Sequence, residues 1–195
     1  MIKLYDSSFS PFARKVRMVL EYKGLNYEAV DGLLKSNHAA LKAVNGRIEV
    51  PALVDGDIVV VNSADIVACL DNRYPAKSVY PDVPAARVHA RAWERVADTF
   101  VDPIFVDISY WKWAERPDKM PDGLLEAARA DLRIVYDALE KELAHHQFVS
   151  GPLSIHRAVS TYVECKSNGS RILRTRSPQS WTLVQGNAGA ADLCG

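Results

Sequence analysis

The chain has 195 residues, 48% of them hydrophobic, with 24 basic and 24 acidic side chains that cancel. That length suits one large domain or two small ones around a real core. The charge balance speaks against nucleic acid as the main partner, since phosphate binding leaves a basic excess. Three cysteines, Cys69, Cys165 and Cys194, with no CxxC pair, point to a reduced compartment, and a cytoplasmic protein is expected. The first residues run straight into a strand-like segment, so no leader is expected, and no apolar run reaches the ~18 residues of a membrane span.

Ile2-Lys3-Leu4-Tyr5 reads as a strand. A helix is expected from about Pro11 to Lys23, with Phe12, Val16, Val19 and Leu20 on one stripe and Gly24 as its stop. Pro11 suits a first helical position and Ser10 the N-cap before it. The run from Asn26 to Val30 is a second strand, completing a βαβ unit. A short helix over 37–45 follows, with Ala40, Leu41 and Val44 inward. Two apolar runs around Asp55-Gly56 make a hairpin, with Pro51 opening the first strand. A helix from about Ala64 to Tyr74 buries Ile66, Val67 and Leu70.

Residues 1–75 thus form an α/β unit ordered βαβ-αββα. The proline-rich stretch 76–84 reads as a stiff linker. A helical domain is expected over 85–195: one helix from about Ala85 to Ala114, bent at Pro103, and another from about Gly123 to His145 with Leu125, Ala128, Leu132, Val135 and Leu139 as its stripe. Residues 156–195 hold five basic against two acidic side chains and no sustained helical stripe. They read as an atypical segment that does not complete the helical domain.

Taken singly, the polar residues at helix starts have plain structural roles. Ser10 and Ser63 fit caps, and Pro51 fits the start of a strand. Arg14, Lys15 and Arg17 read as a solvated face. Cys69 fits packing. His145 and His146 point apart on a helix, so no metal site is expected. Tyr110, Trp111 and Trp113 suit either core packing or a pocket wall.

Their order is more telling. Ser10-Pro11-Phe12, then Val50-Pro51-Ala52-Leu53-Val54, then Asn62-Ser63 opening a helix, resembles the cytosolic glutathione transferase family over about residues 1–155. The resemblance implies a thioredoxin-like domain followed by a helical one. It implies a cis Val50–Pro51 bond, with the Val50 main chain pairing the cysteinyl part of glutathione. It implies that Ser63 and Asn62 take the γ-glutamyl end, that Phe12 lines the floor, and that Lys35 stands nearest to where related proteins hold the glycyl carboxylate. Ile108 and Trp111 would wall a pocket for a hydrophobic electrophile.

Ser10 would donate a hydrogen bond to the glutathione sulfur, with Ser8 a nearby competitor. A thiol of pKa about 8.5 is mostly protonated at neutral pH, so a group favouring the thiolate is what conjugation needs. Serine, unlike cysteine, forms no mixed disulfide, which favours conjugation over thiol–disulfide exchange. Glutathione is then a co-substrate, no cofactor is required, and a homodimer is expected. The alternatives are a glutathione-dependent isomerase or peroxidase, and a non-catalytic glutathione-, ligand- or protein-binding module of the same fold.

Overall fold

The computed structural model describes residues 1–113, 117–144, 171–174 and 181–184. Four strands form one sheet in the order β2-β1-β3-β4: β1 (Ile2–Asp6), β2 (Tyr27–Asp31), β3 (Ala52–Asp55) and β4 (Ile58–Val61). β1 pairs parallel to β2 and antiparallel to β3, and β3 pairs antiparallel to β4. The parallel pair requires a crossover, supplied by helix α1 (Pro11–Lys23). Helix α2 (His38–Asn45) follows a 3-10 turn at Lys35–Asn37, and α3 (Ser63–Arg73) closes the unit. This is the thioredoxin-like βαβ-αββα arrangement expected.

The sheet divides the core in two. On one face Ile2, Leu4 and Leu53 pack with Val16, Val19 and Leu20 of α1 and Ile66, Val67 and Leu70 of α3. On the other, Tyr5 and Ala52 pack with Leu41 of α2. Leu41 is the buried contact of α2, whereas Ala40, expected inward, is exposed. The helix is short, and its one inward position per turn falls on Leu41.

The connection after α3 is itself part of the core. Val79 and Tyr80 are buried in the first cluster. Asp71 secures the stretch by accepting from the Val79 amide at 2.8 Å, the Ser78 hydroxyl at 2.8 Å and Lys23 Nζ at 2.9 Å. Lys23 Nζ donates also to the Tyr74 carbonyl at 2.9 Å and the Lys77 carbonyl at 3.2 Å. Burial alone would push the Asp71 carboxyl up. Lys23, the Val79 amide and the Ser78 hydroxyl outweigh it and hold the group below the usual carboxylate range. A carboxyl lowered by folding contributes stability that is present above its ordinary pKa and lost as the pH falls through the lowered value. Thermal melts from neutral pH to below about pH 4 should therefore show a decline in acid, and the Asp71→Asn variant should lack that component.

Beyond the connection, α4 (Pro84–Val96) runs through a π-helical segment, Ala97–Val101, into α5 (Asp102–Trp113). The irregularity falls just before Pro103, where a proline cannot donate to the preceding turn. A 3-10 turn at Pro117–Lys119 leads to α6 (Leu124–Leu143). Ala128 and Val135 are its buried residues. Leu132 and Leu139 pack beside Val135 and Val101, while Leu125 is partly exposed. Two further strands, β5 (Arg171–Arg174) and β6 (Trp181–Val184), pair antiparallel in a separate sheet, where no strand was expected. His145, His146, Cys165, Cys194 and the Trp113 side chain lie outside the described residues.

Candidate functional site

Strand register gathers the residues singled out at one end of the sheet. Tyr5 of β1 stands opposite Ala52 of β3, and Ala52 stands opposite Val61 of β4. Asp6 of β1 stands beside Asp31 of β2. The loop after β1 (Ser7 to Ser10), the residues entering β3 (Val50 and Pro51), the residues leaving β4 (Asn62 and Ser63) and the turn after β2 therefore all leave the sheet at the same edge. Lys35, exposed, opens the 3-10 turn of that last connection.

Ser10 is the N-cap of α1, with extended backbone, and its Oγ accepts from the Ala13 amide at 3.2 Å. A hydroxyl has two lone pairs and one proton. Capping uses a lone pair, so the proton remains to be given elsewhere. The residue is half-buried, so a ligand at the sheet edge can reach it. Phe12, in the first turn of the helix, is also half-buried. Ser8, the competitor, is exposed, and the neighbouring Phe9 is 87% exposed.

The Val50–Pro51 bond is cis, as expected. Val50 is half-buried and packs beside Leu41, Tyr5 and Ala52. Gly32 crowds it from the end of β2. A Cβ on Gly32 would fall 2.7 Å from Val50 Cγ1 and 3.0 Å from Leu41 Cδ2. The absence of a side chain at position 32 thus sets how close Val50 lies to β2.

The entry to α3 differs from a plain serine cap. The helix begins at Ser63, which is buried, and the cap position is Asn62. Asn62 is exposed, its side chain makes no capping bond, and its backbone lies at φ 66° and ψ 131°. Among the described residues no capping side chain takes the first-turn amides of α3, which leaves N–H groups and a helix dipole for an anion. A non-glycine residue in this backbone region costs ~1–3 kcal/mol. Glycine relieves that, less the ~0.5–1 kcal/mol of extra chain freedom it loses on folding. Asn62→Gly should therefore stabilise the protein by about 1 kcal/mol, seen as a higher urea midpoint at unchanged slope.

Ile108 and Trp111 stand apart from this edge in sequence, on α5, which packs against the π-helical segment and α6. Both are half-buried, and Trp111 meets exposed Tyr110 edge to face, with ring centroids 5.1 Å apart.

Two charges read as solvated are not. Lys15 is buried, its Nζ 2.6 Å from Asp98 Oδ2 and 3.2 Å from Glu94 Oε1. Arg17 Nη1 donates to Asp6 Oδ2 at 2.6 Å. None of the three carboxylates is a near neighbour in sequence, so no local pattern could have revealed these pairs. Among the described residues no group of three His, Cys, Asp or Glu side chains is placed to hold a metal, and no helix is long and apolar enough to cross a membrane.

Comparison with known proteins places this edge in a family context. Residues 4–78 match the model for the glutathione S-transferase N-terminal domain. The chain is 41% identical over 83 residues to glutathione S-transferase Z2 of Arabidopsis thaliana, taking in 41% of this chain and 37% of that relative. It thus spans well under half the length of that curated relative. In fold it is similar to a glutathione S-transferase from Rhodospirillum rubrum F11, with TM-score 0.72 and 23% identity over 86% of this chain and 80% of the other. It is similar also to Ure2p5 from Phanerochaete chrysosporium, cocrystallized with 1-(S-glutathionyl)-2,4-dinitrobenzene, with TM-score 0.68 and 20% identity over 81% of this chain and 72% of the other.

Proposed function

Because the chain belongs, through residues 4–78, to the glutathione transferase family, we propose that it conjugates glutathione to a hydrophobic electrophile, with Ser10 steadying the thiolate. The observation that carries the reading is the Ser10 hydroxyl, which accepts from the Ala13 amide and so keeps its proton for a ligand sulfur. The Val50 main chain would pair the cysteinyl unit of glutathione in the manner of a strand. Ser63 and the first-turn amides of α3 would receive the γ-glutamyl carboxylate, with Asn62 beside its amine. Lys35 would meet the glycyl carboxylate, Phe12 would form the floor, and Ile108 and Trp111 would face the electrophile.

In the reaction the thiol proton leaves to solvent as the ion forms beside Ser10. The sulfur lone pair makes a bond to the electrophilic carbon, and the leaving group departs with its electron pair. The step as written requires no metal or redox cofactor. A homodimer in the cytoplasm belongs to the same reading.

Calorimetric titration with glutathione, followed by conjugation of chlorodinitrobenzene, tests the proposal. Saturable binding and turnover above the uncatalysed rate are expected. Binding without turnover over a broad electrophile panel would instead make the protein a glutathione-binding module. Absence of binding would overturn both.

A further inference from the structure

Ser10 is held by more than its own helix. The Asp6 carboxylate, at the end of β1, is 9% exposed and uses both oxygens. Oδ1 accepts from the Ser7 amide at 2.6 Å, and Oδ2 accepts from Arg17 Nη1 at 2.6 Å. The Asp6 carbonyl accepts from the Gly32 amide at 2.8 Å, tying the same residue to the loop after β2. Ser7, itself buried, accepts from the Ser10 amide at its carbonyl, 3.0 Å away, and from the Phe9 amide at its Oγ, 3.4 Å away. Ser10 then passes into α1 through Ala13 and Arg14, whose amides bond its Oγ and its carbonyl. The path closes on itself. It runs from Ser10 along two turns of α1 to Arg17, across to Asp6, on to Ser7 and back to Ser10.

Such a ring fixes the loop against the helix at a point that neither element could fix alone. A largely buried ion pair is weak support for stability, because desolvation offsets its attraction; holding one geometry is the better-attested use of such a pair. Resting on the function proposed above, we infer that Asp6 is a positioning residue. Through Ser7 and Arg17 it sets the placement of the Ser10 hydroxyl relative to the bound glutathione sulfur.

The test is a double-mutant cycle between Asp6→Asn and Ser10→Ala, read by the pH profile of chlorodinitrobenzene conjugation and by glutathione calorimetry. Asparagine keeps an oxygen for the Ser7 amide but loses the charge that Arg17 holds. D6N alone should slow conjugation about tenfold, since small misplacements of a catalytic contact act on this scale. Its pH profile should move upward by about one unit, the shift equivalent to that factor. Glutathione affinity should change by less than about threefold. In the S10A background D6N should cost no more than about twofold, because both changes act through one hydroxyl. Arg17→Gln, which leaves Asp6 intact, should show the same signature and carries the test if D6N does not fold.

An unmoved pH profile, or an equal loss from D6N with and without Ser10, would overturn the inference while leaving the proposed function standing. An S10A variant as active as the wild type would remove Ser10 from the proposed mechanism, and this inference with it, while leaving conjugation itself standing.

Discussion

Ser10→Ala is expected to slow conjugation by about 10–100-fold at neutral pH, because a hydrogen bond to a charged acceptor is worth ~1.5–3 kcal/mol. The loss should appear as an upward move of the pH–rate profile by about one to two units, each unit being a factor of ten in preferential stabilisation of the ion. Glutathione binding should change far less, since the contacts proposed for Val50, Ser63 and the α3 amides do not involve this hydroxyl. The substitution also removes a cap, for Ser10 Oγ accepts from the Ala13 amide. A loss of ~1 kcal/mol of stability should accompany it. Ser10→Asp separates the two roles. Aspartate offers an oxygen to the same amide and places a negative charge at a helix N-terminus, worth ~0.3–1 kcal/mol in its favour. It has no proton for sulfur and repels an anion. Stability should hold in that variant while turnover is lost. Equal turnover in the wild type and Ser10→Ala would remove Ser10 from the mechanism.

The parts of this fold that were legible from sequence are those whose cause is local. The stripe of Val16, Val19 and Leu20, the proline at the start of α1 and Gly24 at its end are all short-range signals, and both ends of α1 fell where expected. Asp55-Gly56 likewise marked the hairpin, with Gly56 at φ 67°. Ser10 was placed as a cap and is one.

What could not be read depends on partners remote in the chain. Lys15 pairs with residues 79 and 83 positions later, so its charge run resembled a solvated face. Val79 and Tyr80 carry no periodicity and sit among prolines, yet the core needs them to cover α1 and α3. The backbone of Asn62 is set by the tertiary turn from β4 into α3; asparagine tolerates positive φ better than most residues, but no local pattern marked it at this position. Ala40 looked inward because it is apolar, but α2 has only a narrow contact with the sheet.

Lys15→Met is the change expected to destabilise the protein most, by ~3–5 kcal/mol, the range for removing one partner of a buried ion pair. Lys15 Nζ stands between Asp98 and Glu94, and Glu94 also accepts from the Tyr80 hydroxyl at 2.8 Å. Burial and the neighbouring carboxylate push the Tyr80 phenol well up, so it stays a donor. Burial also raises the Asp98 carboxyl, against the pull of Lys15, which shows desolvation prevailing over attraction at that carboxylate. Between the ordinary carboxylate pKa and this raised value the folded state binds more protons than the unfolded chain, so the Asp98 contribution to stability falls as the pH rises. Without Lys15 the effect grows. The deficit of the variant should be greater at neutral than at mildly acidic pH, as guanidinium midpoints would show.

The triple change Lys15→Met, Glu94→Gln and Asp98→Asn removes the charges of these three side chains and leaves Tyr80 an acceptor. It should recover most of the loss, because the penalty is that of stranded carboxylates rather than of a missing attraction. The network also joins two halves of the molecule: α1, which begins at Ser10, and the π-helical segment that leads into Ile108 and Trp111. If that joint carries their cooperation, Lys15→Met should broaden or split the unfolding transition, and the triple variant should restore a single one. A lone sharp transition in all three proteins, with no loss in Lys15→Met, would place the stability of this interface in the apolar packing of Val79, Tyr80 and Ala90 instead.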